Sequence, residues 1–321
     1  MLREGLIYLS ESGTAKKVLT GLPMTRSMSR RFVPGETVDS LVDAIREANA
    51  AGMTATANYL GESEKNEANA RAAGDVYMDI LRRIHDEGLD ANVSMKFTQL
   101  GQAIGEDFLT ENLERVLKLA KAEDTFVRFD MESSDYVDRT LKELERFWAA
   151  GWRNIGVVLQ SYLHRTMDDA RRLVDMGVRV RICKGAYNEP PDIAFQERDE
   201  VDGNFLDVSR LLIAEGNYPG IATHDDRMIE GVLEFVTKER IPADRFEFQM
   251  LHGVRRDLQK ALVSDGYRVR VYVPFGGSWY PYLMRRLAER PANMLFMAGS
   301  VVKESPLGFL WPDRKKRRNG A

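Results

Sequence analysis

The chain has 321 residues, 44% of them hydrophobic and 30% charged, with a formal net charge of -3. That balance excludes a disordered chain and gives no general attraction to nucleic acid, so no nucleic-acid partner is expected. Cys183, the one cysteine, rules out an intramolecular disulfide and any zinc or iron–sulfur centre built from cysteines, and no apolar run approaches the roughly 18 residues of a membrane span.

Taken in order, residues 1–51 read as a helical leader. Thr14 to Met28 carries Val18, Leu19 and Leu22, and Thr37 to Ala51 carries Val38, Leu41, Val42, Ile45 and Ala48 at helical spacing. The start, MLREGLIYLSESG, has no export signal, so a cytoplasmic location is expected. From Gly52 the pattern changes. Eight strand candidates follow: Thr54–Leu60, Asn92–Phe97, Phe126–Met131, Ile155–Gln160, Val178–Cys183, Ile221–Thr223, Phe246–Met250 and Val269–Val273. Between them lie amphipathic stretches at Ala68–His85, Phe108–Ala122, Tyr136–Ala149, Met167–Met176, Phe205–Glu215, Met228–Thr237 and Leu258–Val263. Each crossover can hold a helix and return a parallel strand. No Gly-x-Gly-x-x-Gly turn follows an early strand, which argues against a doubly wound dinucleotide fold. The expected fold is therefore α/β, a (βα)8 barrel over residues 52–300, with a tail over 301–321 that includes the basic run RKKRR, Arg314 to Arg318.

Ser94 and Lys96 alternate with Met95 and Phe97, and Arg128 and Asp130 alternate with Phe129 and Met131. One face of each strand is apolar and the other polar. Nearly every strand ends in a polar residue: Glu62, Lys96, Asp130, Gln160, Arg181, Thr223 with His224, Gln249 and Tyr272. Such barrels do their chemistry at that end. Lys96 taken alone suits a Schiff-base aldolase, but Asp130 at the next strand's corresponding position would pair with it and keep it charged. Of the histidines, only His224 and His252 fall near strand ends, too few for a metal site. In RICKGAY, Arg181 to Tyr187, two cations precede Gly185 in a turn that suits a phosphate or a flavin ring.

The final stretch runs from Arg268 to Asn293. Val269, Val271 and Val273 make the apolar face of a strand, and Pro274, Gly276 and Gly277 are expected to stop its pairing. A helix then carries Tyr282, Leu283, Met284, Leu287 and Ala288, with Arg285 and Arg286 as either solvated charges or a clamp for an anion.

RICKGAY, ATHD at Ala222 to Asp225, FEFQMLHG at Phe246 to Gly253, and VYVPFG followed by YLMRRLAE occur in an order that resembles the proline dehydrogenases. The resemblance covers roughly residues 52–293. It implies a distorted TIM-type barrel with FAD at the carboxyl ends of the strands and a C-terminal lid helix over the mouth, in the monofunctional form. The implied reaction is oxidation of L-proline to 1-pyrroline-5-carboxylate, with a hydroxyproline-type dehydrogenase as the alternative. Carried over position by position, Arg285 and Arg286 hold the substrate carboxylate with Lys96 beside them. Asp130, Tyr272, Ile182 and Tyr187 line the pocket, and Arg181 stands near the flavin's reactive nitrogen. Asp130 and Arg181 are the expected catalytic pair. Met131, Gln160, Lys184, Gly185, Ala186, Thr223 and His224 match positions that contact FAD, as does Glu289 in the lid helix. Glu62 matches an acid that pairs with Arg285 when the pocket is empty. Asn188 departs from relatives that place a tryptophan there, and His252 is given no role. Tyr272 leaves little room for a ring hydroxyl, which favours proline over hydroxyproline. The expected partners are a quinone electron acceptor, a downstream pyrroline-carboxylate dehydrogenase, and the inner membrane surface through the basic tail.

Overall fold

The computed structural model describes residues 30–289, the side chains of 285–289 excepted. Eight parallel strands close a barrel in sequence order. They are β1 (Thr54–Tyr59), β2 (Ala91–Met95), β3 (Val127–Phe129), β4 (Ile155–Gln160), β5 (Arg179–Cys183), β6 (Gly220–Ala222), β7 (Glu247–Leu251) and β8 (Val269–Phe275). Helices α1 (Val38–Ala50), α2 (Glu67–Asp86), α3 (Glu106–Ala122), α4 (Ser134–Ala149), α5 (Thr166–Met176), α6 (Arg198–Glu215), α7 (Asp226–Lys238) and α8 (Arg256–Ser264) accompany them, and α9 (Trp279–Glu289) follows β8.

The helices start where the sequence supplies caps. Thr37 and Ser40 bond reciprocally at the head of α1, and Asn66 accepts from the Asn69 N–H at the head of α2. Gly177 ends α5 at φ 75°, in the left-handed region where a side chain is strained. Val137, Leu141, Leu144 and Phe147 form the buried stripe of α4. Such stripes meet the outward residues of the strands, among them Val93, Val127, Phe129, Val157, Val180, Ile182, Phe248 and Val271, each at most 2% exposed. This annular layer between sheet and helices is the main hydrophobic core.

The barrel and α1 form one compact unit, Val33–Gly277, and α9 belongs to another. The boundary expected at Gly52 therefore falls inside the barrel's unit: Leu41, Ala44, Ile45 and Ala48 of α1 are buried in the barrel's own core. The helix expected over Thr14 to Met28 and the basic tail lie outside the described residues. A second correction concerns Pro274. β8 runs through it to Phe275, with Pro274 opposite Asn58 of β1. Pairing with β7 has already ended at Tyr272, so the missing proline N–H breaks no ladder on that side, and the strand stops at Gly276 with φ 121°. Among the described residues no helix is long and apolar enough to cross a membrane.

His252, just past β7, is buried, and burial followed by the nearby Arg256 lowers its pKa to about 4. The unfolded imidazole titrates near 6.5, so stability from the neutral ring is complete above that value and is lost as pH falls from there toward 4. The wild-type protein should lose about 2 kcal/mol through this residue between roughly pH 7 and pH 5. His252→Gln should remove that loss, as measured by urea midpoints at the two pH values. An unchanged pH dependence in the variant would contradict the assignment.

Candidate active site

The inward face of the barrel is polar along much of its depth, where bulky branched side chains usually fill it. Thr56 donates to Asn92 at 2.6 Å, and the Asn58 amide donates to the Ser94 carbonyl at 3.0 Å. Arg128 reaches the carbonyls of Val157 and Arg179 at 3.2 and 3.1 Å. Burial, then Arg181 nearby, lowers the pKa of Arg128. Gly156 lets the backbone of β5 approach closely here, since a Cβ on it would stand 2.3 Å from the Arg179 carbonyl oxygen.

Toward the carboxyl ends these side chains converge on Asp130. Its Oδ1 accepts from Ser94 Oγ at 2.5 Å and from Arg181 Nη1 at 3.0 Å, and its Oδ2 accepts from the Tyr272 hydroxyl at 2.7 Å. Asp130 is 8% exposed and Arg181 5%. The Arg181 guanidinium also lies over the Tyr272 ring, 5.2 Å from its centroid. Burial, then the Asp130 carboxylate, pushes the Tyr272 phenol well above its ordinary pKa, so it stays a hydrogen-bond donor. Strands β2, β5 and β8 thus contribute one donor each to a carboxylate held just past the end of β3.

Lys96 does not pair with Asp130. Its Nζ meets Glu62 at 2.9 Å. Lys96 and Asp130 continue the register of β2 and β3, but strand tilt steps register partners along the barrel axis and levels Asp130 with Ser94 instead. Burial opposes the charge on Lys96, yet Tyr187, Glu62 and Glu132 outweigh it and leave the ammonium's pKa raised. A lysine so held is a poor nucleophile, which removes the physical basis of the aldolase alternative. Glu132, fixed by Thr98 Oγ1 at 2.6 Å, is itself pushed up, by burial above all.

Around β5 and β6, Lys184 pairs with Asp202 and, at 2.8 Å, with Asp225. Thr223 Oγ1 accepts from the Asp225 N–H at 3.1 Å, and His224 Nε2 accepts from the Leu251 N–H at 2.8 Å, which puts the imidazole proton on Nδ1. Gly185 has φ 106°, and a Cβ there would lie 2.3 Å from the Tyr162 ring, so this turn requires glycine for its own packing. Met131 and Gln160 are buried, while Ala186 and Tyr187 are half-buried. Ile182, expected over the substrate ring, is turned by strand alternation away from Arg181 into the layer under the helices. α9 carries Arg285, Arg286 and Glu289, whose side chains are outside the described set. Among the described residues no group of histidines, cysteines and carboxylates could hold a metal ion.

Among the described residues several buried polar atoms have no hydrogen-bond partner, including Arg128 Nε deeper in the barrel and the Asp202 oxygens beside Lys184; two of them are Gln160 Oε1, at the end of β4, and Arg181 Nη2, on β5. One accepts and one donates, which fits a planar heterocycle carrying both functions. Ser94, Glu132, Glu247 and Arg270 were not assigned to the site from sequence. The period-two alternation that singled out Asp130 also puts Ser94, Glu247 and Arg270 on the inner face, and was the available signal.

The sequence model of the family described as proline dehydrogenase matches residues 41–299. The chain is 37% identical over 304 residues to proline dehydrogenase 1 of Bacillus subtilis subsp. natto, covering 95% of this chain and 100% of that protein. It is 38% identical over 281 residues to the proline dehydrogenase of Deinococcus radiodurans, covering 86% and 91%. Among solved structures, proline utilization A from Bdellovibrio bacteriovorus inactivated by N-propargylglycine superposes with a TM-score of 0.77 at 24% identity. That match covers 92% of this chain and 36% of the other, so this chain spans about a third of that protein, and the likeness concerns the barrel fold.

Proposed function

Since the chain belongs to the proline dehydrogenase family, we propose that the Asp130–Arg181–Tyr272 cluster is the centre at which it oxidises L-proline with FAD. The enzyme is a proline dehydrogenase, and its substrate is proline. In the reaction a hydride leaves Cδ, the ring CH2 next to nitrogen, and a proton leaves the nitrogen, so that a C=N bond forms between them and 1-pyrroline-5-carboxylate results. FAD, when bound, supplies the hydride acceptor.

The observation that carries the cofactor assignment is that, among the described residues, an acceptor, Gln160 Oε1, and a donor, Arg181 Nη2, are both buried without a hydrogen-bond partner. These two residues would hold the flavin ring, one accepting from an N–H and the other donating to a ring nitrogen or oxygen. Met131, Lys184, Gly185, Ala186, Thr223, His224 and Glu289 are proposed as the remaining contacts from the sequence resemblance. Lys184, Thr223 and His224 already bond within the protein, so they shape the site as well. Arg181 places a fixed cation where negative charge arrives, and Asp130 keeps that cation oriented. Tyr272, tied to Asp130, presents its ring to the substrate and narrows the space for a hydroxylated ring, in favour of proline.

Lys96, charged beside Glu62, is proposed to attract the substrate carboxylate. Arg285 and Arg286 are proposed as its bidentate holders, and Glu62 as the acid that meets Arg285 without substrate, both on the sequence resemblance. A quinone acceptor, contact of the tail RKKRR with the inner membrane, a cytoplasmic location and onward use of the product by a pyrroline-carboxylate dehydrogenase complete the proposal.

Borodeuteride tests the reaction class. Added during turnover, it should return proline with deuterium at Cδ, the ring CH2 next to nitrogen, and leave the protein mass unchanged. Covalent attachment of substrate to Lys96 would overturn the dehydrogenase reading in favour of an imine-forming enzyme.

A further inference from the structure

One ion-pair bond does not fix a guanidinium, because the planar group can swing about it. Arg181 is pinned at a second point: its Nε donates to Gln249 Oε1, while Nη1 reaches Asp130 at 3.0 Å and Ser94 Oγ at 3.3 Å. Gln249 is 4% exposed and sits on the inner face of β7. Its amide has two chemically opposite ends, so which end faces Arg181 matters. Gln249 Nε2 donates to Glu247 Oε1 at 2.5 Å. An ionised carboxylate can only accept, which obliges the amide nitrogen to face Glu247 and the amide oxygen to face Arg181. A flipped amide would set NH2 against a guanidinium, donor against donor.

Glu247 is held in turn. Arg270 Nε donates to the same Oε1 at 2.6 Å, Arg270 Nη1 is anchored on the Ala55 carbonyl at 2.7 Å, and the Tyr218 hydroxyl reaches Oε2 at 3.2 Å. Burial pushes the Glu247 carboxyl up, but Arg270 beside it outweighs burial and holds it below its ordinary range. The sequence also leaves space for the amide. A Cβ at Gly220, on the neighbouring strand β6, would lie 2.3 Å from Gln249 Nε2.

We infer that Gln249 is the positioning residue of Arg181, and that Glu247, one tier deeper in the barrel, sets the sense of its amide so that Arg181 Nη2 is left as the free donor. Glu247, Gln249, Arg270 and Gly220 thereby become parts of the active site without touching substrate. The catalytic consequence rests on the proposed place of Arg181 beside the flavin, whereas the positioning itself does not.

The test uses the FAD-loaded enzyme and two variants that disturb the amide differently. Gln249→Leu removes the acceptor, and Gly220→Ala keeps the glutamine but displaces its amide. The Nε–H resonance of Arg181, identified by its disappearance in Arg181→Lys, should exchange with solvent at least tenfold faster in both variants than in the parent. The flavin midpoint potential should fall by about 30 mV, the equivalent of a tenfold weaker preference for the two-electron-reduced form. Unchanged exchange in whichever variants fold would overturn the positioning role. Faster exchange with an unchanged potential would uphold it and refute the placement of Arg181 beside the flavin, so the two claims fail separately.

Discussion

Asp130→Ala should destabilise the protein by roughly 3–5 kcal/mol and lower the rate of proline oxidation on the order of a hundredfold. The stability loss follows from what the alanine leaves behind. Arg181, 5% exposed, keeps its charge but loses its only carboxylate partner among the described residues, and Ser94 Oγ and the Tyr272 hydroxyl lose their acceptor as well. Breaking a buried pair from one side costs far more than the pair contributes, because the remaining charge is neither solvated nor compensated. The rate loss has a separate cause. Without Asp130 the hydrogen bonds left to the guanidinium among the described residues are those to Gln249 and Ser94, and the Tyr272 ring is no longer tied through its hydroxyl. Displacement of such groups by about 1 Å is enough for a hundredfold effect. Asp130→Asn should fall between parent and alanine, since its oxygen can still accept from Arg181 while its NH2 must face the Tyr272 hydroxyl, which would then have to accept. Urea midpoints and single-turnover rates check both points. An alanine variant as stable and as fast as the parent would mean that Asp130 is merely a lining residue.

Where one residue period governs an element, the sequence was enough. Ile155–Gln160 is a strand with the expected bounds, because its apolar run ends at a polar residue on one side and a loop on the other. α4 likewise follows from the buried stripe of Val137, Leu141, Leu144 and Phe147. α6 shows the limit. It begins at Arg198 and not at Phe205, because its first two turns, RDEVDGN, carry mostly polar residues and give the period nothing to mark. β3 is shorter than the alternation from Phe126 to Met131 implied, since pairing with both neighbours covers only Val127 to Phe129.

In the site, the alternation identified which side chains point inward but not the level at which they meet. That level depends on strand tilt, a property of the closed sheet, and this is why Lys96 was matched with Asp130 when its partner is Glu62. The deeper tier of Arg128, Glu247 and Arg270 was hidden for a related reason. Its charges are held by partners on other strands, and Gly220 on β6 leaves the space that the Gln249 amide occupies. No local pattern relates a glycine on one strand to a side chain on its neighbour.

The proposal that this barrel oxidises L-proline by passing a hydride to FAD can be decided by one anaerobic spectrum. Purified protein, reconstituted with FAD if necessary, should be yellow. On addition of L-proline it should lose its flavin absorption, with one pyrroline-carboxylate formed for each flavin reduced. Colour that persists under saturating L-proline, or a protein that takes up no FAD, would contradict the claim.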